Sequence, residues 1–235
     1  MPDMFCQIDI FIFLQTSINP NYDYAEIFED DFVHAINFFT NNKAEFEKTF
    51  SENNIDLAVI IPTIFPEKVR YSIFKNFVEV MAIQLAYVEY GSEMIDCSIG
   101  DFQIKPSFAE HVEKDLLLYP DLKTKYAYLQ PQLTNELEVR KARLELLKTL
   151  EGQIQYLSAF YDLMHKKYSF KNKSSNEKIL FFAAAYNTGY WKPEAAISEA
   201  IEYKYFPYGR KYKGEQYQYS DVSLYFYQNY FKTIF

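Results

Sequence analysis

LTNELEVRKARLELLKTLEGQIQYLSAFYDLM, residues 133–164, decides the class of fold. Leu133, Leu137, Leu144, Leu147, Ile154, Leu157, Tyr161 and Met164 recur at helical spacing with charges between them, which lines one face of a 3.6-residue helix. The period predicts one long helix over this stretch. Downstream, Lys171 to Asn176 is a polar connector, and Glu177 to Tyr186 is again helical. Tyr203 to Phe235 carries Gly209 and Gly214 in a tyrosine-rich loop before a last helix begun near Ser220 and Asp221.

Upstream, Gly100 and Pro106 mark Asp96 to Lys105 as a loop or tight turn. Ser107-Phe108-Ala109-Glu110 has the form of a capping box. Val69 to Tyr90 reads as a long apolar helix closed by Gly91. Ile55 to Phe65 reads as a buried helix kinked or restarted by Pro62 and Pro66. In Tyr24 to Phe50, the positions Ile27, Phe32, Ala35, Ile36, Phe38 and Phe39 give a packing helix with a break at Asn41-Asn42. No repeat or heptad run occurs, and little period-2 alternation supports a sheet. The expectation is a mainly α single domain over residues 19–235.

The 235 residues are 49% hydrophobic and 24% charged, with a mean hydropathy of -0.27. Disordered, collagen-like and multi-span membrane classes are thereby excluded. With 24 Lys and Arg against 32 Asp and Glu, the net charge is -8, so phosphate backbones find no basic footprint and nucleic acid is not an expected partner. Cys6, Cys97, His34, His111 and His165 are too few and scattered for a zinc framework or a disulfide scaffold. Neither a metal nor a cofactor is expected. The 22 Tyr and 22 Phe admit two readings: a compositional bias shared with Asn, Lys and Ile, or a groove in which aromatic faces meet sugar rings.

Ile8 to Leu14 has the size of an export-signal core and is too short to cross a bilayer as a helix. Asp3 and Asp9 stand where basic residues are usual in such signals. Residues 1–18 read as a degenerate export signal, a start site assigned slightly wrong, or a buried first segment, with export the favoured reading, and no integral membrane span is expected.

The six glycines include no phosphate-cradling loop and no serine elbow, which leaves carboxylates and tyrosines as reactive material. A carboxyl against apolar walls holds its proton to higher pH and can act as a general acid. Three candidates have that context: Glu67 after Ile64-Phe65-Pro66, Glu79 between Val78 and Val80, and Glu89 between Val88 and Tyr90. Each also reads as a solvated helix carboxylate or one paired with a base such as Arg70.

Ser98-Ile99-Gly100-Asp101-Phe102-Gln103-Ile104-Lys105-Pro106 resembles the lytic transglycosylase signature in which Gly, two apolar residues, Gln, an aliphatic residue and Pro follow one another. Ala183-Ala184-Ala185-Tyr186-Asn187-Thr188-Gly189 resembles the Ala-Ala-Tyr-Asn-x-Gly segment of the same family. A glutamate after an apolar helix precedes both, in the order found in the lysozyme-like superfamily. The resemblance covers roughly residues 55–190. It departs at Lys68, where Ser is usual after the glutamate, and at Phe102, where Met is usual. The stretches from Glu67 to Gln103 and from Gln103 to Tyr186 are longer than usual. This implies a lysozyme-like helical domain with extra helices inserted at Tyr71 to Gly91 and at Leu133 to Met164.

What the resemblance implies for chemistry is cleavage of the β-1,4 bond between N-acetylmuramic acid and N-acetylglucosamine by one glutamate. That residue first protonates the leaving oxygen and then serves as base, while the sugar's own acetamido and 6-hydroxyl groups replace the second carboxylate, an exception to the two-carboxylate rule. By position, Glu67 is the acid and base. Ser98, Gly100 and Gln103 form and orient the sugar-binding turn. Tyr186 bonds the acid or the acetamido group, and Asn187 and Gly189 set the turn that presents them. Tyr190, Trp191, Tyr203, Tyr205, Tyr208, Tyr217 and Tyr219 follow as a candidate groove floor. Each residue also has a structural reading: Gln103 satisfying backbone, Tyr186 tied to a carbonyl, Asn187 and Gly189 capping a helix. The partner implied is peptidoglycan, and the location periplasmic or secreted. Two alternatives stand beside the enzyme: a glycan-binding or envelope-structural protein of the same fold, and an intracellular helical protein in which both motifs are coincidental turns.

Overall fold

The computed structural model describes residues 22–74 and 80–235. The apolar segment of residues 1–18, Cys6 and the alternative acid Glu79 lie outside the described residues. The described chain is mainly helical: α1 (Tyr24–Asn41), α2 (Lys43–Glu52), α3 (Leu57–Phe74), α4 (Val80–Tyr90), α5 (Pro106–Leu116), α6 (Pro120–Lys125), α7 (Glu136–Leu147), α8 (Leu150–Lys167), α9 (Ser175–Thr188) and α10 (Glu194–Ala200). A hairpin of β1 (Lys204–Phe206) and β2 (Tyr217–Gln218) precedes α11 (Tyr219–Phe226), a π-helical turn and α12 (Lys232–Ile234). Among the described residues no helix is long and apolar enough to cross a membrane.

The centre of the molecule is α3, which packs against α1, α9 and α11. Contrary to the sequence expectation, it runs unbroken through Pro62 and Pro66, and Glu67 lies inside it rather than beyond its end. An internal proline costs a helix about 3 kcal/mol. Val59, Ile60, Ile61, Ile64, Phe65 and Val69 are all buried, and each such burial returns about 1.5–3 kcal/mol, so tertiary packing outweighs both breaks. The two prolines remove ladder donors, and α11 docks on this stretch: the Tyr219 hydroxyl donates to the Thr63 carbonyl at 3.0 Å. Phe65 stacks on Phe226 with ring centroids 4.0 Å apart. Tyr24 ties α1 to the same helix by donating to Asp221 at 2.7 Å.

The predicted break at Asn41-Asn42 separates α1 from α2. Gly91 ends α4 with φ +81° and donates its N–H to the Tyr87 carbonyl at 2.7 Å. Ser174 and Glu177 form a reciprocal capping box, which starts α9 two residues before the expected Glu177.

Three expectations are corrected. The single helix over Leu133 to Met164 is two, because Thr149 accepts from the Gly152 N–H and starts α8 afresh. At Ser107 the capping box does not form: Lys105 is the N-cap, Pro106 opens α5, and Asp96 instead accepts from the Ser107 N–H and hydroxyl at 3.0 and 2.8 Å. Glu110 turns away to Arg143 and Tyr87. Finally, the tyrosine-rich loop contains the hairpin, with Phe206 opposite Tyr217. Strands of three and two residues are too short to print an alternation in the sequence.

Candidate functional site

Glu67, Ser98, Gln103, Tyr186, Asn187 and Gly189 line one pocket of about 170 Å³, together with Arg70, Asp96, Lys105, Ser107, Phe108, Thr188 and Trp191. It lies where the second half of α3 meets the 98–105 segment and the C-terminal end of α9. Three stretches far apart in sequence therefore converge on one recess.

The 98–105 wall is a tight hairpin-like turn. Ile99 and Ile104 exchange both backbone hydrogen bonds at 3.0 Å, and both side chains are buried. Gly100 takes φ +71° and Gln103 φ +51°. The left-handed conformation costs a side chain about 1 kcal/mol or more, and Gln103 offsets it by donating its Nε2 to the Gly100 carbonyl at 2.8 Å. A methyl group on Gly100 would stand 2.0 Å from Gln153 Nε2. That close approach is used, because Gln153 Oε1 accepts the Phe102 N–H at 2.8 Å.

Glu67 is 4% exposed. Arg70, one helical turn on, donates Nη1 to both of its carboxylate oxygens at 2.9 and 3.0 Å. The Tyr219 hydroxyl stands beside the carboxyl, and its one proton has Thr63 and Glu67 as competing acceptors. Burial pushes the Glu67 carboxyl above its ordinary range. Arg70, Tyr219 and Lys105 pull the other way, and burial is the larger influence. The group is thus biased toward its protonated form while a cation stands ready for the ionised one.

Asn187 is linked to the same guanidinium, accepting from Arg70 Nη2 at 3.5 Å. Gly189 caps α9 with φ +105°, and a methyl there would stand 2.8 Å from the Trp191 ring. The glycine lets the chain double back so that Trp191 lies flat on His111, with centroids 3.7 Å apart and 10° between planes.

The remaining expected residues are placed as follows. Tyr186 lines the pocket, but its hydroxyl donates to the Phe102 carbonyl at 2.7 Å rather than to the acid. Burial and the neighbouring Glu67 push that phenol well above its usual range. Gly100 shapes the turn without lining the recess. Tyr190 is not a pocket residue: it is fully buried between Phe108 and Phe160, with centroids at 5.5 and 5.6 Å. Glu89 is exposed near the end of α4, where its backbone carbonyl accepts from Arg140, and it does not face the pocket. Tyr217 and Tyr219 are core residues, whereas Tyr203, Tyr205 and Tyr208 line an adjoining groove.

Arg70, Lys105 and Asp96 carry the charge of the recess beside Glu67; the expected pairing of Glu67 with Arg70 is present, whereas the sequence reading gives Lys105 no role. The pairing follows from α3 continuing through Pro66, which makes a base three residues after a glutamate a helical pair. No group of three or more His, Cys, Asp or Glu among the described residues could hold a metal ion. The half-buried Cys97 is a free thiol held above its usual range by desolvation. No family model matches this chain, and no curated protein or solved structure matches it either.

Proposed function

We propose that this chain is a lytic transglycosylase-like enzyme of lysozyme-like fold that cleaves peptidoglycan in the cell envelope, periplasmic or secreted, with Glu67 as its only catalytic carboxylate. One observation carries the reading: a buried carboxyl pushed toward its protonated form opens on a pocket walled by the Ser98–Gln103 turn and by Tyr186, Asn187 and Gly189. These are the three segments that resemble the family.

In this reading protonated Glu67 donates to the bridging oxygen as the bond from that oxygen to C1 breaks. The 6-hydroxyl of the same sugar attacks C1 and closes an anhydro ring, and its proton goes to the Glu67 carboxylate, which resets the acid. Arg70 accounts for the intermediate stage, since its Nη1 already donates toward both oxygens and stabilises the charge left when the proton departs. Asn187 holds that guanidinium from the far side. Trp191, which lines the recess, supplies apolar ring surface against which a sugar can rest.

A second reading, a glycan-binding protein without catalysis, is favoured by the same contact, because a carboxylate whose two oxygens both accept from Arg70 Nη1 is a poor proton donor. Mass spectrometry of soluble products from peptidoglycan sacculi separates the two. The enzyme releases anhydromuropeptides and Glu67→Gln releases none. A protein that binds sacculi and releases nothing supports the second reading, and one that does neither removes both.

A further inference from the structure

We infer that the groove adjoining the Glu67 pocket is a binding site for carboxylate groups carried on the glycan, so that the ligand is an acidic strand rather than a neutral one. The identity of the strand rests on the function proposed above; the charge preference does not.

The groove, of about 530 Å³, shares Arg70, Lys105, Asn187 and Thr188 with the pocket and is closed by the loop of the small hairpin. Arg70, Lys105, Lys192 and Arg210 line it, and among the described residues no Asp or Glu does. In a chain of net charge -8, a concave surface with four cations and no acid runs against the composition, and a cleft of one sign concentrates ligands of the other.

Two of the four cations are already engaged. Arg70 holds Glu67, and Lys105 lies 3.7 Å from Asp96. Lys192 and Arg210 are exposed and form no ion pair among the described residues. The Arg210 guanidinium lies 5.2 Å from the Tyr205 ring centre, within cation–π range. The planar guanidinium fork matches a carboxylate by two parallel bonds. Tyr203 and Tyr205, with centroids 5.4 Å apart, supply faces for sugar or amide groups next to it. A strand with its scissile bond at Glu67 therefore extends past Lys105 and Asn187 to meet Lys192 and Arg210.

Calorimetric titration tests this with four probes: soluble peptidoglycan strands bearing stem peptides, neutral chito-oligosaccharide of equal length, an oligo-uronate, and a free peptide rich in glutamate. The expected result is about tenfold tighter binding of stem-bearing strands than of chito-oligosaccharide. The preference disappears in Lys192→Gln/Arg210→Gln, whose sites are exposed and leave the core intact, and shrinks in high salt. Oligo-uronate matching the stem-bearing strands assigns the carboxylate to the sugar backbone; oligo-uronate binding like the neutral sugar assigns it to the stem peptide. Glycans binding with equal affinity regardless of charge, or a preference that survives in the double variant, overturn the inference and leave the proposed function standing. Acidic peptide binding that is lost in the double variant, with no glycan bound, keeps the carboxylate site and removes the glycan reading. Binding of none of the four overturns both.

Discussion

Arg70 reaches back one helical turn to hold both carboxylate oxygens of Glu67, at 2.9 and 3.0 Å, from a position only partly shielded from solvent. The pair sets two opposed influences on one proton, and their balance can be read from stability as well as from activity.

Burial raises the folded-state value of Glu67 above the ordinary 4.5. Between that unfolded value and the raised folded one, the native state binds more protons than the unfolded state, so the stability contributed by this group is full at low pH and falls as pH rises. The difference in urea unfolding free energy between the wild type and Glu67→Gln, which cannot ionise, is expected to shift against the wild type as pH climbs from about 4.5. A difference that instead moves in its favour would mean that Arg70, not desolvation, dominates.

Replacing Arg70 with Met removes a principal influence holding the carboxyl down. We expect Glu67 to stay protonated to still higher pH and the alkaline limb of any cleavage profile to move upward. Above that limb the uncompensated charge is expected to cost about 2 kcal/mol of stability, with much less lost in acid. Arg70→Lys, which keeps a charge for Glu67 but loses the Nη2 contact to Asn187, falls between the two. An unmoved alkaline limb would show that Glu67 is not the titrating acid.

Gly152→Ala carries a sign opposite to helix propensity. Alanine in a helix is favoured over glycine by about 1 kcal/mol, but a methyl at this position would stand 2.1 Å from the Leu146 carbonyl oxygen. That backbone contact has no flexible end to move, so we expect a net loss of about 2 kcal/mol and a lower Tm. A raised Tm would contradict the tight junction between α7 and α8.

This junction shows what the sequence could and could not reveal. The apolar period passes through Lys148-Thr149 without a fault, since Leu147 and Ile154 are both buried on the two sides of it; period alone cannot see a break that preserves the face. The signs were local: Thr149 as an N-cap and Gly152 in the first turn of the new helix. At Pro62 and Pro66 the error ran the other way, because a local rule for breakers was overruled by burial contributed from α1, α9 and α11. The helices on either side of Asn41-Asn42, the start near Ser220 and the turn at Gly100 were legible, each being marked by residues that act on their immediate neighbours. The segments bearing Glu67, Gln103 and Asn187 could be named from resemblance, whereas the link from Arg70 to Asn187 spans 117 residues and leaves no trace in any local pattern. Most of the tyrosine excess that suggested a groove went elsewhere: Tyr24, Tyr87, Tyr126, Tyr156 and Tyr190 are fully buried.

Trp191 is the single tryptophan of the chain and lines the pocket while stacked on His111. Chito-oligosaccharide entering the recess is expected to change its emission in proportion to occupancy, and Trp191→Phe to abolish the signal. Binding seen by calorimetry without any change in emission would place the ligand in another part of the molecule.

The turn that carries Gln103 is fastened from three directions. Lys68 on α3 pairs with Asp101, Gln153 on α8 takes the Phe102 N–H, and Tyr186 on α9 takes the Phe102 carbonyl. A recess whose wall is already fixed by three separate helices loses little chain entropy when a ligand arrives. Its affinity is then a property of how those helices are stacked, and a change deep in α8 that never meets a ligand can detune recognition as surely as one in the wall itself.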